Sequence, residues 1–266
     1  MTRRLNLFIE GIPGSGKSTL LSLLHERLPD YAAYAEGDLS PVDLAWCACM
    51  PEEAYQKALL DWPDLACALA EKTMQEDGLR VVAYTKVRSE DPRFYESMER
   101  WEIYGGRKGI RAFTEIALRR FRAFQGAGNL FECAFFQNIL EELMLFGQYD
   151  DGEILRFYGE LLASLDLSAF RLLRLRTPDV AGSIQSIRRE RVNAQGEEVW
   201  YALMLSYLAR SPYGRAHGYK GFEDVVAHFE RRIALEDRVA SLLPAGRCIE
   251  LPSREYDPQA LLGLLQ

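Results

Sequence analysis

Apolar residues fall in short runs separated by stretches with helical spacing. Leu5, Leu7, Phe8 and Ile9 form the first run, and residues 19–28 follow with apolar side chains at Leu20, Leu21, Leu23, Leu24 and Leu28. The first pattern predicts a buried strand and the second an amphipathic helix. Further strands are expected over 31–36, 79–87, 129–135, 170–175 and 247–251. Helices are expected over 51–75 (broken at Trp62-Pro63), 110–124, 137–146, 152–165, 178–191, 198–209, 222–242 and 258–265. Strands alternating with helices predict an α/β protein with a mostly parallel sheet sandwiched by helices. No repeat, low-complexity tract or long linker divides the chain. One domain over 1–266 is therefore expected, with helical lid or substrate insertions near 41–77, 89–124 and 189–221.

Between the first strand and its helix, residues 11–18 read Gly-Ile-Pro-Gly-Ser-Gly-Lys-Ser. This fits G-x-x-x-x-G-K-[ST], the Walker A phosphate loop, in its required strand–turn–helix setting. The expected nucleotide contacts are Gly11, Pro13, Gly14, Ser15, Gly16, Lys17, Ser18 and Thr19. Loop amides and the positive end of the following helix suit a polyphosphate. Lys17 can bridge β- and γ-phosphates, and the Ser18 hydroxyl can ligate Mg²⁺.

Composition narrows the setting. An apolar fraction of 48% over 266 residues is enough for a packed core. The net charge of −7 argues against a dedicated nucleic-acid or anionic-membrane binder. No stretch approaches the roughly 18 apolar residues of a spanning helix. Five scattered cysteines without C-x-x-C, and an N-terminal run too short for a secretion signal, point to reduced thiols and a cytoplasmic protein. Oligomeric state stays open between monomer and homodimer.

Absent motifs sort the classes of phosphate-loop protein. The nearest match to the guanine-reading N/T-K-x-D is Thr85-Lys86-Val87-Arg88, where arginine replaces the carboxylate. That leans to ATP over GTP. There is no L-S-G-G-Q, and no apolar strand ends in Asp-Glu. Transporter-type ATPases and standard motors are accordingly disfavoured.

Through GIPGSGKST the chain resembles the P-loop kinases that phosphorylate small molecules: nucleoside, nucleotide and sugar-acid kinases and antibiotic phosphotransferases. The resemblance is weaker at three later places. Those kinases place an acid after the second strand, and here Glu36-Gly37-Asp38 stands there. The resemblance implies that Asp38, with Glu36 beside it, orients or deprotonates an acceptor hydroxyl; the alternative is an Asx-type turn leading to Pro41. They place a second acid at a later strand end, here Glu132, implying a Mg²⁺ ligand; the alternative is a solvated strand-end acid. Cys133 stands where nucleoside and thymidylate kinases carry arginine. Gln137 and Asn138 follow as candidate polar groups of the same cleft. Their lid arginines correspond to Arg188 and Arg191, ahead of Arg189; the alternative is a solvated helix end.

Two weaker features read as structural. Residues 211–221 form a glycine-spaced segment read as a surface loop, and Arg119, Arg120 and Arg122 read as a charged outer helix face. Trp46, Tyr55, Trp62, Tyr84 and Trp101 could stack on a ring, but core or interface roles are favoured.

The implied function is a Mg²⁺- and ATP-dependent phosphotransferase acting on a small-molecule hydroxyl, with Lys17, Asp38, Glu36, Arg188 and Arg191 as catalytic residues and Ser18 and Glu132 on the metal. Two alternatives stand beside it: a thymidylate-like nucleoside monophosphate kinase, and a nucleotide-binding switch without a small-molecule acceptor.

Overall fold

A computed structural model describes residues 4–257 together with 261 and 263. The helix expected over 258–265 falls largely outside the described residues. The chain divides into two compact units, one formed by residues up to Ala33 and from Gly126 onward, the other by Tyr34–Gln125. The expected insertions at 41–77 and 89–124 lie in the second unit, and 189–221 lies in the first.

The chain opens with β1 (Asn6–Glu10), α1 (Lys17–Arg27) and β2 (Ala32–Tyr34). The second unit then supplies β3 (Ala48–Pro51), α2 (Glu52–Asp61), α3 (Ala66–Glu71), β4 (Thr73–Glu76), β5 (Leu79–Val82), α4 (Pro92–Glu99) and α5 (Ile110–Ala123). The first unit resumes with β6 (Asn129–Glu132), α6 (Gln137–Glu141, continued by one π turn to Phe146), α7 (Asp151–Ala163) and β7 (Phe170–Arg176). It closes with α8 (Val180–Glu190), α9 (Val199–Arg210), α10 (Pro212–His217), α11 (Phe222–Ala240) and β8 (Cys248–Pro252).

The first unit is an α/β layer structure. Its five-stranded sheet has the order β2-β6-β1-β7-β8. β1 pairs in parallel with β6 on one side and β7 on the other, and β7 pairs in parallel with β8. Strands covered on both faces read as continuous apolar runs rather than alternating ones, and every residue of β1 is buried. Phe8 lies at the centre, 4.7 Å from Phe131 and 4.9 Å from Phe170 by ring centroids. Local signals set the helix boundaries. Asp150 and Glu153 form a capping box at the start of α7, and Asp179 caps α8 through the Gly182 N–H.

The second unit corrects part of the sequence reading. Residues 79–87 are not a long strand of the parallel sheet. β5 ends at Val82 and is the centre of a separate antiparallel sheet, β3-β5-β4. The predicted helix over 51–75 does break at Trp62-Pro63, but its tail is strand β4. Tyr84 turns away from β5 because its hydroxyl is anchored on Glu102 Oε1 at 2.6 Å inside the core. Arg120 is no outer-face residue either: it is buried, and bonds the Ser40 carbonyl and Glu76.

In the first unit, residues 212–217 form a helical turn rather than a loop. Ser211 caps it through Gly214 N–H at 2.9 Å, Pro212 opens it, and Gly218 ends it in the left-handed conformation. Among the described residues no helix is long and apolar enough to cross a membrane.

Candidate functional site

Residues 11–16 leave the C-terminal end of β1, the strand with parallel neighbours on both sides, and feed α1. Ends of this kind are where open α/β sheets form ligand crevices. Two glycines are required by the backbone and its surroundings. Gly14 has φ +78°, and a Cβ there would lie 2.4 Å from Ile187 Cδ1 of α8. Gly16 has φ +97° and starts α1, which has neither a side-chain N-cap nor an acid in its first turn. The first N–H groups of a helix have no intrahelical acceptor, so this uncapped end suits an anion. Ile12 anchors the loop in an apolar cluster with Ile184, Ile187 and Phe229. Ser15 is buried, whereas Ser18 and Thr19 are exposed at the helix start.

Lys17 is largely buried, and its Nζ donates to the carbonyls of Gly11 at 2.9 Å and Ile12 at 3.2 Å. Ser18 Oγ donates to Glu132 Oε1 at 2.5 Å. The two residues expected on the metal thus meet, although 114 positions separate them in sequence. Among the described residues no group of three or more His, Cys, Asp or Glu could hold a metal ion by itself. Ser18 and Glu132 fit a hard cation that takes its remaining ligands from phosphates and water, the usual habit of Mg²⁺.

Asp38 and Glu36 belong to the second unit. Asp38 Oδ2 accepts the Ala35 N–H at 2.7 Å, and Oδ1 pairs with Lys86 Nζ at 3.1 Å. Both carboxylate oxygens are thus engaged, and the backbone bond runs back to Ala35 rather than forward toward Pro41 as an Asx-type turn would. Glu36 Oε1 accepts from Trp46 Nε1 at 2.9 Å, and the Trp46 ring is 46% exposed, unlike the buried Tyr55 and Tyr84.

Arg188 lies on α8, and Arg191 follows at its C-cap. The Arg188 guanidinium bonds Glu198 at 2.9 Å and sits 4.2 Å from the Tyr201 ring centre. Arg191 stands 5.7 Å from the Trp200 ring. Both are engaged on the α9 side, yet Ile187 of the same helix lies against the 11–16 loop at Gly14. Gln137 and Asn138 start α6, after the Glu132 turn.

Three residues of this region escape a sequence reading. Glu10, the last residue of β1, is fully buried, and its carboxylate accepts the N–H of Phe135 at 2.6 Å and of Gln137 at 3.0 Å. Burial pushes its carboxyl up to about 7, against the backbone N–H groups that favour the charged form. Its signal was an acid inside an otherwise apolar run. Arg232 of α11 is buried and donates to Gly11 O at 3.0 Å, Glu141 Oε1 at 2.8 Å and Glu236 Oε1 at 3.1 Å. Only its i,i+4 spacing from Glu236 hinted at this. Arg254, just beyond β8, donates from Nε to Gly14 O at 2.6 Å and pairs with Glu190 at 3.0 Å. Nothing in the local sequence marks it.

Glu141 also bonds the buried His228 at 2.8 Å. Burial works to raise its carboxyl, but His228 and Arg232 override this and hold it down at about 2. A depressed carboxyl contributes stability that is present above its unfolded value near 4.5 and is lost as pH falls toward 2. Glu10, raised when folded, pulls the other way above about pH 4, where the unfolded chain begins to release its proton and the folded one keeps it. Urea unfolding between about pH 4 and 2.5 should therefore show a falling free energy that is flatter in Glu141→Gln. Parallel slopes would contradict this assignment.

No family model matches the sequence, and no curated protein is significantly similar to it.

Proposed function

We propose that the chain is a P-loop NTPase-fold kinase that transfers the γ-phosphoryl group of ATP to a small molecule, with Mg²⁺ as cofactor. The observation that carries this reading is the Ser18–Glu132 contact at 2.5 Å, beside a G-x-x-x-x-G-K-S loop at the end of a central parallel strand. The loop amides and Lys17 hold the donor phosphates, with Lys17 leaving the Gly11 and Ile12 carbonyls to do so. Ser18 and Glu132 hold the metal, which neutralises phosphate charge when bound. Arg188 and Arg191, at the end of the helix that abuts the loop, answer charge on the group in transit. Asp38, with Glu36, orients the acceptor hydroxyl. The five cysteines are all free thiols, which supports a reducing, cytoplasmic setting.

The test is incubation with γ-labelled ATP, Mg²⁺ and a pool of nucleosides, nucleotides and hydroxylated metabolites. A labelled small molecule supports the kinase; free phosphate alone supports a switch or hydrolase. The Asp38–Lys86 pair favours a second reading, because a lysine there also suits an acceptor phosphate and such an acceptor needs no general base. Asp38→Asn separates the two. It keeps an oxygen for the Ala35 N–H, so the turn survives. With a hydroxyl acceptor, initial rates should fall about 100-fold or more. Near-normal rates would assign a phosphate acceptor.

A further inference from the structure

We infer that Glu10 is a positioning residue that fixes the metal-side acid Glu132 relative to the phosphate loop. This rests on the kinase reading of Ser18 and Glu132. Glu132 ends β6 opposite Ile9, and Cys133 N–H continues the ladder to Ile9 O at 3.1 Å. The chain then reverses through Cys133, which has φ +64°, a left-handed conformation that a non-glycine residue adopts at a cost. Such a turn persists only when its surroundings over-determine it. Glu10 does this: its two oxygens take the N–H groups of Phe135 and Gln137, so one side chain spans the far side of the turn and the start of α6. From the other side Tyr158 Oη donates to Phe135 O at 2.7 Å.

The same residue is covalently next to Gly11. Glu10 therefore belongs to the phosphate loop through its backbone and to the Glu132 turn through its carboxylate. The other titratable groups that face it are Glu236 and Arg232, both on α11, and Tyr158 on α7. Arg232 is committed to Glu141, Glu236 and the Gly11 carbonyl, and Glu10 is fully buried, so Glu10 acts only through the turn. Glutamine at this position has one acceptor oxygen for two N–H donors. The turn loses one of its two pins while shape is kept.

The test compares the full-length protein with Glu10→Gln, using N-methylanthraniloyl-ATP fluorescence in EDTA and across a Mg²⁺ titration. Metal-free affinity should match the natural protein, because the loop amides and Lys17 are untouched. The Mg²⁺ concentration that half-tightens nucleotide binding should rise about tenfold, the scale of effects on residues that orient metal ligands. A merely structural role would lower the unfolding midpoint without moving this ratio. A half-effect concentration unchanged within about twofold overturns the inference while leaving the kinase reading intact. Natural protein that binds no nucleotide, or binds it without regard to Mg²⁺, overturns both. If Glu10→Gln does not fold, Tyr158→Phe decides. It removes the opposing pin on Phe135, and a normal Mg²⁺ response in that variant overturns the inference.

Discussion

Lys17→Ala should remove ATP-dependent phosphorylation, lowering turnover by at least about 100-fold, the scale seen when one preorganised donor to a reacting group is lost. Two properties of Lys17 underlie this. Its ammonium is held beside the loop by two carbonyls, so the charge is already stationed where phosphates are expected. It is also the first residue of a helix with no side-chain cap and no acid in its first turn. The variant should fold, since among the described residues the side-chain bonds lost are those to the loop carbonyls of Gly11 and Ile12, and Gly11 keeps Arg232 as a donor. Circular dichroism and the unfolding midpoint check the fold, and single-turnover assays with labelled ATP check the chemistry. Unchanged turnover in a folded Lys17→Ala would exclude the proposed donor site.

Arg232→Met should strongly destabilise the first unit. Arg232 bonds two carboxylates and a loop carbonyl while buried, and methionine replaces only its aliphatic stem. Burial alone would lower the arginine's own proton affinity, but Glu236 and Glu141 raise it, so the charge is held firmly. Removing one partner of a buried ionic group strands the others, at a cost of about 3–5 kcal/mol. Urea unfolding measures that loss. Adding Glu141→Gln to Arg232→Met should recover part of it, since one stranded charge is then gone. Additive losses in the double variant would show that the two residues are not coupled.

These two residues also mark what the sequence makes legible. Lys17 could be read directly, because the chemistry of G-x-x-x-x-G-K-S is local and its strand and helix flank it. Glu132 was legible as an acid ending an apolar strand, and the structure sets its Oε1 2.5 Å from Ser18 Oγ. Arg232 and Glu10 were not legible, because a charged residue reads as solvated unless its partners are known, and these partners lie up to 221 residues away. The small antiparallel sheet escaped for another reason. β3, β4 and β5 have only four residues each, too few for period-2 alternation to stand out from helix. The functional reading of Asp38 rested on resemblance, and the local partners of that side chain, the Ala35 N–H and Lys86, could not be read from the sequence.

Ile187 fills the space a side chain on residue 14 would need, while Arg254 holds the Gly14 carbonyl and reaches back to Glu190 on α8. The loop and the helix carrying Arg188 are consequently geared together. A tilt of that helix must either drag the 11–16 loop with it or break this contact, so under the proposed kinase reading, grip on the donor and the posture of the arginines would not be adjusted independently.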